Sequence, residues 1–284
     1  MESNGETLLE TPRPSEGRDY VEALARGLAV MKAFREQADR LTLSDVARLT
    51  QLSRASVRRS LLTLQALGYV EGNGRYFSLS PQVLTLAQAY LSSSPVPRVA
   101  QSFLEKVSET LGESCSLSIL HHDEVIYIAR SARKRIGSLH RDVGTHLPAH
   151  CTSMGRVLLA ALPDSELDAF LGATELASFT RYTIVDKDEL RAVLEKVRRN
   201  NYSLVDQELE TDLRSIAIPI QNAAGRTIAA MNIGARASLT SKKQMLDAFL
   251  PVMRNAAGVN SMSPWSLWNW ILSPPGVVLI PSSE

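Results

Sequence analysis

With 284 residues, 44% of them hydrophobic and 21% charged, the chain has ordinary globular composition and room for two domains. A formal net charge of +1 excludes a global pull toward nucleic acid or membrane, so any DNA reader must be a local module on a near-neutral body. Two cysteines, Cys115 and Cys151, exclude a disulfide framework and suit a reducing cytoplasm.

Residues 1–19 are polar, carry Pro12 and Pro14 and lack an apolar signal core, so a disordered arm and no secretion are expected. From Tyr20 to Ala38, Leu24, Leu28 and Met31 recur at helical spacing and Phe34 extends the stripe. This helix should pack behind the elements that follow. Thr42-Leu43-Ser44-Asp45 is a capping box, and Val46 and Leu49 mark a short helix that breaks at Thr50-Gln51-Leu52-Ser53. Ser53 can cap a second helix with Val57, Leu61 and Leu64 on its buried stripe and Gly68 as its stop. Asn73-Gly74 is a hairpin signal between Tyr69-Val70-Glu71-Gly72 and Arg75-Tyr76-Phe77-Ser78-Leu79. Helix, turn, basic helix and basic-tipped hairpin in residues 20–81 describe a winged helix-turn-helix.

The second of these helices is the reader. Ser53, Arg54, Ser56, Arg58, Arg59 and Ser60 fall on its polar side, and no acid occurs between Gln51 and Leu67. A major groove admits one such helix, whose arginines fork onto guanine edges or phosphates while serines bond phosphate oxygens. Arg75 at the hairpin tip is placed for a neighbouring phosphate or the minor groove. The plainer alternative, arginines that only solvate a helix face, does not account for the wing beside them.

Residues 82–94 read as an apolar linker helix, with Val83, Leu84, Leu86, Ala87 and Tyr90 near one face, that pairs with its own copy or docks on a neighbour. From 95 to 257 the pattern is α+β. Helices are expected at Val99–Gly112, Thr152–Ala161, Asp164–Leu171, Asp188–Arg199 and Thr240–Ala257. Strands are expected at Ser114–Leu120, Val125–Ala129, Ile136–His140 (weak), Tyr202–Asp206, Ile216–Ile220 and Thr227–Ile233. Residues 258–284 hold all three tryptophans, four prolines and Glu284 as the only charge, and no chemistry is assigned to them.

Several stretches together resemble the IclR family of bacterial transcriptional regulators, and within it the branch governing the β-ketoadipate pathway of aromatic-acid breakdown. They are Ala25-Arg26-Gly27-Leu28-Ala29-Val30, Ser53 to Arg59, Leu147-Pro148-Ala149-His150-Cys151-Thr152-Ser153-Met154-Gly155-Arg156, and Val205 to Glu210 running on to Leu213-Arg214-Ser215-Ile216-Ala217. The likeness covers about Tyr20 to Ala257. It implies a GAF-like effector domain, dimers or tetramers, and control by a small organic acid.

The residues themselves suggest where an acid would sit. Thr152, Ser153, Met154 and Gly155 open a helix after an extended Leu-Pro, and the first N–H groups of a helix lack internal partners and attract anions. Leu147 and Met154 would flank the apolar body of the acid. The resemblance adds Asp206, Ser215, Asn232 and Gly234 to the pocket; some relatives carry serine at the last of these. The plain alternative is an ordinary capped helix with no ligand.

Other constellations carry less. His150-Cys151 lacks a third orienting group for thiol catalysis. His146 and His150 are spaced i, i+4, but Pro148 between them argues against one metal-binding face. Asp206, Glu208, Glu210 and Asp212 alternate as a solvated strand edge would. The expectation is therefore a non-enzymatic DNA-binding regulator, an activator, with no cofactor and no metal. Its partners would be operator DNA, an aromatic or dicarboxylic acid, a second copy or a tetramer, and RNA polymerase, with no membrane. A small-molecule-binding enzyme or metal sensor carrying the same DNA module is the alternative, and turnover of a bound acid would mark it.

Overall fold

The computed structural model describes residues 20–35, 40–133, 141–222 and 224–258. The expected N-terminal arm, the weak strand at Ile136–His140 and the tail past Gly258 lie outside the described residues. The chain divides into two units, Met1–Ser93 and Ser94–Glu284. Among the described residues, no helix is long and apolar enough to cross a membrane.

The first unit runs α1 (Glu22–Lys32), β1 (Leu41–Thr42), α2 (Leu43–Thr50), α3 (Arg54–Ala66), β2 (Val70–Gly72), β3 (Tyr76–Leu79), a 3-10 turn at Pro81–Val83 and α4 (Leu84–Ser93). The three strands pair antiparallel in the order β1-β3-β2. The capping box forms as read: Thr42 Oγ1 accepts from Asp45 N at 3.2 Å, and Asp45 Oδ2 accepts from Thr42 N at 2.9 Å. α2 then runs one residue further than expected, through Thr50, and Gln51 turns the chain in the left-handed region (φ 56). Gly68 (φ +80) ends α3, with Tyr69 N donating to Leu64 O and Gly68 N to Gln65 O, the two bonds of a Schellman end. Val30, Val46, Val57 and Leu61 are fully buried and unite the three helices with Leu41, Leu64, Val70 and Phe77 of the sheet.

Two details depart from the sequence reading. The hairpin turn is centred on Gly74-Arg75 rather than Asn73-Gly74. Asn73 N bonds Tyr76 O, and the Asn73 carboxamide accepts from both Arg75 N and Tyr76 N, which leaves the positive φ (+88) to Gly74. In α1 the buried position is Val30, with Met31 and Phe34 beside it, whereas Leu24 and Leu28 face solvent. α4 is more exposed still. It buries none of its residues and shows Leu84, Leu86 and Tyr90 to solvent.

The second unit runs α5 (Pro95–Leu111), β4 (Ser114–His121), β5 (Glu124–Ser131), β6 (His146–Pro148), α6 (Ser153–Ala160), α7 (Asp164–Ala173), α8 (Lys187–Asn200), β7 (Ser203–Asp206), β8 (Leu213–Gln221) and β9 (Thr227–Arg236). It closes with α9 (Lys242–Gln244), a π turn at Met245–Phe249 and α10 (Leu250–Ala256). The sheet is antiparallel throughout, in the order β6-β5-β4-β9-β8-β7. One face packs α5 and α10 through Leu104, Val107, Leu117, Ile216, Met231, Ile233 and Met253. The other packs α6, α7 and α8 through Tyr127, Met154, Leu159, Leu190, Leu194, Ala217 and Ala230. Strand alternation, interrupted in β5 by a bulge that puts both Ile128 and Ala129 in the α5 layer, thus divides the residues of β4, β5, β8 and β9 between two layers.

β6 escaped the sequence reading because it ends in Pro148, which an edge strand tolerates. The closing helix, read as continuous from Thr240, is broken by the π turn. Pro251 lacks an N–H and its ring would crowd the carbonyl four residues back, so a wider turn precedes it.

Candidate functional site

In the first unit, Ser53, Arg54, Arg58 and Arg59 are exposed on α3, and Ser53 Oγ caps the helix by accepting from Ser56 N at 3.2 Å. Ser56, read as exposed, is buried, and Ser60 is half-buried. Each precedes a core residue, Val57 or Leu61, and lies on the flank of the buried stripe, so neither belongs to the outer face. Arg54 and Arg58 stand one turn apart there. None of Arg54, Arg58, Arg59 and Arg75 makes an ion pair among the described residues, so their charge is open to phosphate. Arg75 leans over the Tyr76 ring at 5.2 Å, which holds it at the wing tip.

In the second unit, Thr152 caps α6: its Oγ1 accepts from Gly155 N at 3.2 Å and its backbone O accepts from Arg156 N at 3.0 Å. Among the described residues no acceptor is recorded for Ser153 N–H or Met154 N–H. Thr152, Ser153, Met154 and Gly155 are all buried, and Leu147 is half-buried in the same cluster as Met154. Gly155 is a packing residue as much as a ligand candidate, since a Cβ there would lie 2.1 Å from Ala149 O.

The sheet face under α6 is unusually polar. The register pairs Ser116 with Asn232 and Arg130, Ser118 with Tyr127, and Ser215 with Gly234, and all seven lie in the α6 layer. Among the described residues, four buried atoms here have no hydrogen-bond partner: Ser118 Oγ, Arg130 Nε, Ser153 Oγ and Asn232 Oδ1. Arg130 Nη1 donates to Ser116 Oγ at 2.9 Å. Burial pushes the Tyr127 phenol up in pKa, against the opposing pull of Arg141, Arg130 and the Asn232 amide. Buried polar atoms are nearly always satisfied, so four unpartnered ones in a single layer of the sheet make this face the candidate site. Sequence reasoning missed Ser116, Ser118, Tyr127 and Arg130. The signal was there in Ser114-Cys115-Ser116-Leu117-Ser118, where every second residue is polar in a buried strand.

Asp206 does not join them. It pairs in register with Arg214 on the opposite layer, where Arg214 Nη2 reaches it at 2.8 Å and Lys242 Nζ at 3.0 Å. Burial would raise its pKa, but the bonds from Lys242 and Arg214 hold it below the usual value. Nor is the acidic run a solvated edge. Glu208 is buried against Arg156, Glu210 pairs with Arg141, and Asp212 binds Arg236 and the Ser238 hydroxyl and N–H. Those bonds depress Asp212 to about 2. Stability from such a lowered carboxyl is present at neutral pH and lost only as pH falls toward 2. Acid titration followed by carboxyl NMR should therefore find Asp212 still ionised near pH 3.

Burial pushes the Cys151 thiol up to about 12, and burial together with the Arg156 charge lowers His150, against the bond it shares with Ala177 O. A thiol that stays protonated beside a neutral imidazole is no nucleophile at neutral pH. His146 sits in β6 paired with Ile126 and bonds Glu124 at 2.7 Å, so its spacing from His150 is not helical. Among the described residues, no three histidine, cysteine or acidic side chains are grouped to hold a metal ion.

Comparison with known proteins agrees with this division. Residues 23–74 match the IclR helix-turn-helix domain, and residues 88–262 match the C-terminal domain of bacterial IclR transcriptional regulators. The chain is 44% identical over 240 residues to the Pca regulon regulatory protein of Pseudomonas putida, covering 84% of this chain and 82% of that one. It is 37% identical over 244 residues to the p-hydroxybenzoate hydroxylase transcriptional activator of Acinetobacter baylyi, covering 84% and 90%. Among solved structures, a transcriptional regulator from Rhodococcus sp. RHA1 superimposes with a TM-score of 0.73 at 48% identity, covering 83% and 95%. A double mutant of the Acinetobacter PobR inducer-binding domain with 3-hydroxybenzoic acid gives 0.54 at 34%, covering 56% and 93%. An IclR homologue from Microbacterium hydrocarbonoxydans with 4-hydroxybenzoate gives 0.69 at 26%, covering 83% and 95%. The relatives are named as regulators rather than enzymes, and the chain belongs to the IclR family of bacterial transcriptional regulators.

Proposed function

We propose that this regulator controls genes of aromatic-acid catabolism, reads its operator through α3 and the β2–β3 hairpin, and is switched by an aromatic carboxylic acid held beneath α6. The observation that carries the reading is the set of orphaned polar atoms under that helix. A carboxylate would satisfy Arg130 Nε and the Ser153 and Met154 N–H groups, and a ring would lie against Met154 and Leu147. Ser215 and Asn232 supply polar contacts from the facing strands. The hydroxybenzoates bound by the PobR and Microbacterium structures, and the regulons named for the Pseudomonas and Acinetobacter relatives, supply the chemical class.

Calorimetry with 4-hydroxybenzoate and its neutral amide tests this. Loss of charge should weaken binding about tenfold or more, because hydrogen bonds to ionised groups contribute roughly 1.5–3 kcal/mol. Ser153→Pro removes one N–H at the first helical position, where proline is tolerated, and Thr152 already has the extended backbone that precedes proline (φ −114, ψ 146). It should weaken the acid and leave the amide unchanged. Equal binding of acid and amide to both proteins would sink the helix-terminus site.

On DNA, Arg58→Ala should cost about 1–3 kcal/mol of operator affinity, and gel shifts at several salt concentrations separate a base contact from a phosphate contact. Undiminished binding would mean that α3 is not the reading helix. One such helix covers a half-site, so two copies are needed. The exposed Leu24 and Leu28 of α1 and Leu84, Leu86 and Tyr90 of α4 are the apolar surfaces we assign to that pairing. Light scattering should find a dimer or tetramer, and Leu84→Glu with Leu86→Glu should shift it toward monomer. We read the mode as activation through contact with RNA polymerase in a reducing cytoplasm, and in vitro transcription with and without the acid decides between activation and repression. A coupling of about 1–3 kcal/mol between acid and operator suffices.

A further inference from the structure

The charges around the α6 site define the valence of its ligand. Arg156 holds Glu208 at 2.7 and 2.5 Å, Arg236 holds Asp212 at 2.8 Å, and Arg141 holds Glu210 at 2.5 Å. Arg130 has no acidic partner among the described residues; its contacts are the neutral Ser116 hydroxyl and the face of Tyr127. Among the described residues, the site therefore carries one positive charge in excess.

The Arg141–Glu210 pair spans the site. The turn that carries Arg141 is stitched to β5, with Gly144 N on Tyr127 O at 2.8 Å and Tyr127 N on Thr145 O at 3.0 Å. Glu210 belongs to the connection between β7 and β8. In the sheet order, β5 and β8 are separated by β4 and β9, the two strands that carry Ser116 and Asn232. The ion pair links the two sides of the polar face. Arg141 also lies near enough to the buried Tyr127 to affect its ionisation.

We infer that Glu210 is a specificity-determining residue: it occupies Arg141 as the site's own second anion, so the site accepts a monoanionic aromatic acid and rejects a dianionic one. This rests on the carboxylate site proposed above. One ligand carboxylate neutralises Arg130. A second would either displace Glu210 from Arg141 or sit beside it as a like charge, and like charges held next to each other at a partly buried site repel. A far end that is neutral, such as a ring hydroxyl, leaves the pair intact.

The test is calorimetry on the full chain with 4-hydroxybenzoate and with terephthalate, which puts a second carboxylate on the same ring. The wild type should favour 4-hydroxybenzoate by at least about tenfold. Glu210→Gln keeps the shape and removes the charge; it should gain about tenfold or more for terephthalate while 4-hydroxybenzoate moves less than about threefold. Glu210→Asp keeps the charge and should keep the discrimination. The Glu210 side chain is 40% exposed, so both variants should fold, and thermal unfolding checks this. An unchanged preference in Glu210→Gln, or a wild type that binds terephthalate as tightly as 4-hydroxybenzoate, overturns the role of Glu210 while the carboxylate site stands. If the wild type binds neither acid, the carboxylate site is wrong and this inference falls with it.

Discussion

Arg156→Met should destabilise the second unit by about 3–5 kcal/mol, the cost of leaving a buried carboxylate without its cation. The Arg156 and Glu208 side chains are only 3% and 9% exposed and share two hydrogen bonds. Arg156 Nε also donates to His150 O at 2.8 Å, and Glu208 accepts from Ile184 N at 3.1 Å. One pair thus ties α6 to the β6–α6 connection, to the segment before α8 and to the β7–β8 connection. Removing both charges together, in Arg156→Met with Glu208→Met, should cost much less than the single change, because no unpaired charge remains. Urea unfolding by circular dichroism measures both, and a double-mutant cycle gives the coupling. A single variant within 1 kcal/mol of wild type, as a rough threshold, would show that water reaches Glu208 and that the pair is not buried in solution.

Gly155→Ala should be nearly as damaging, at about 3 kcal/mol, the upper end for overpacking. The added carbon would meet Ala149 O, Cα and C at 2.1, 2.4 and 2.6 Å. These are backbone atoms, and they cannot retreat freely: Ala149 N donates to Asp123 O at 2.9 Å, and Thr152 Oγ1 donates to Pro148 O at 2.9 Å. α6 would have to lift from the strand segment before it, which moves Ser153 and Met154 away from the sheet. The melting temperature should fall by roughly 6–12 °C, and affinity for the acid should fall with it. A variant with wild-type melting and binding would mean that the helix and the Ala149 segment are not in contact.

The sequence alone determined the local devices, because these are written in neighbouring residues. The Thr42–Asp45 capping box, the Gly68 helix stop and the Val57–Leu61–Leu64 stripe each follow from side chains a few positions apart, and each formed. The helix expected from Thr152 also starts there, with Thr152 as its cap. Even here the flank of a stripe was beyond local reasoning. Ser56 looks like any polar residue of α3, yet the folded unit buries it.

What the tertiary structure decided was which charges meet and which face each strand residue takes. Asp206 and Ser215 are near neighbours in sequence terms, yet the strand period of two sends them to opposite layers. The acids from Asp206 to Asp212 read as a solvated edge because their partners, Arg214, Arg156, Arg141 and Arg236, come from four different parts of the chain. Arg130 carried no motif. Its meaning as a cation without an acidic partner among the described residues depends on the register that sets Ser116 against it and Asn232 on the strand beyond, in the layer that α6 covers, and only the folded sheet brings these together. Local sequence fixes where helices and turns begin and end, whereas pairing across a sheet is set by register between distant segments, which no short window contains.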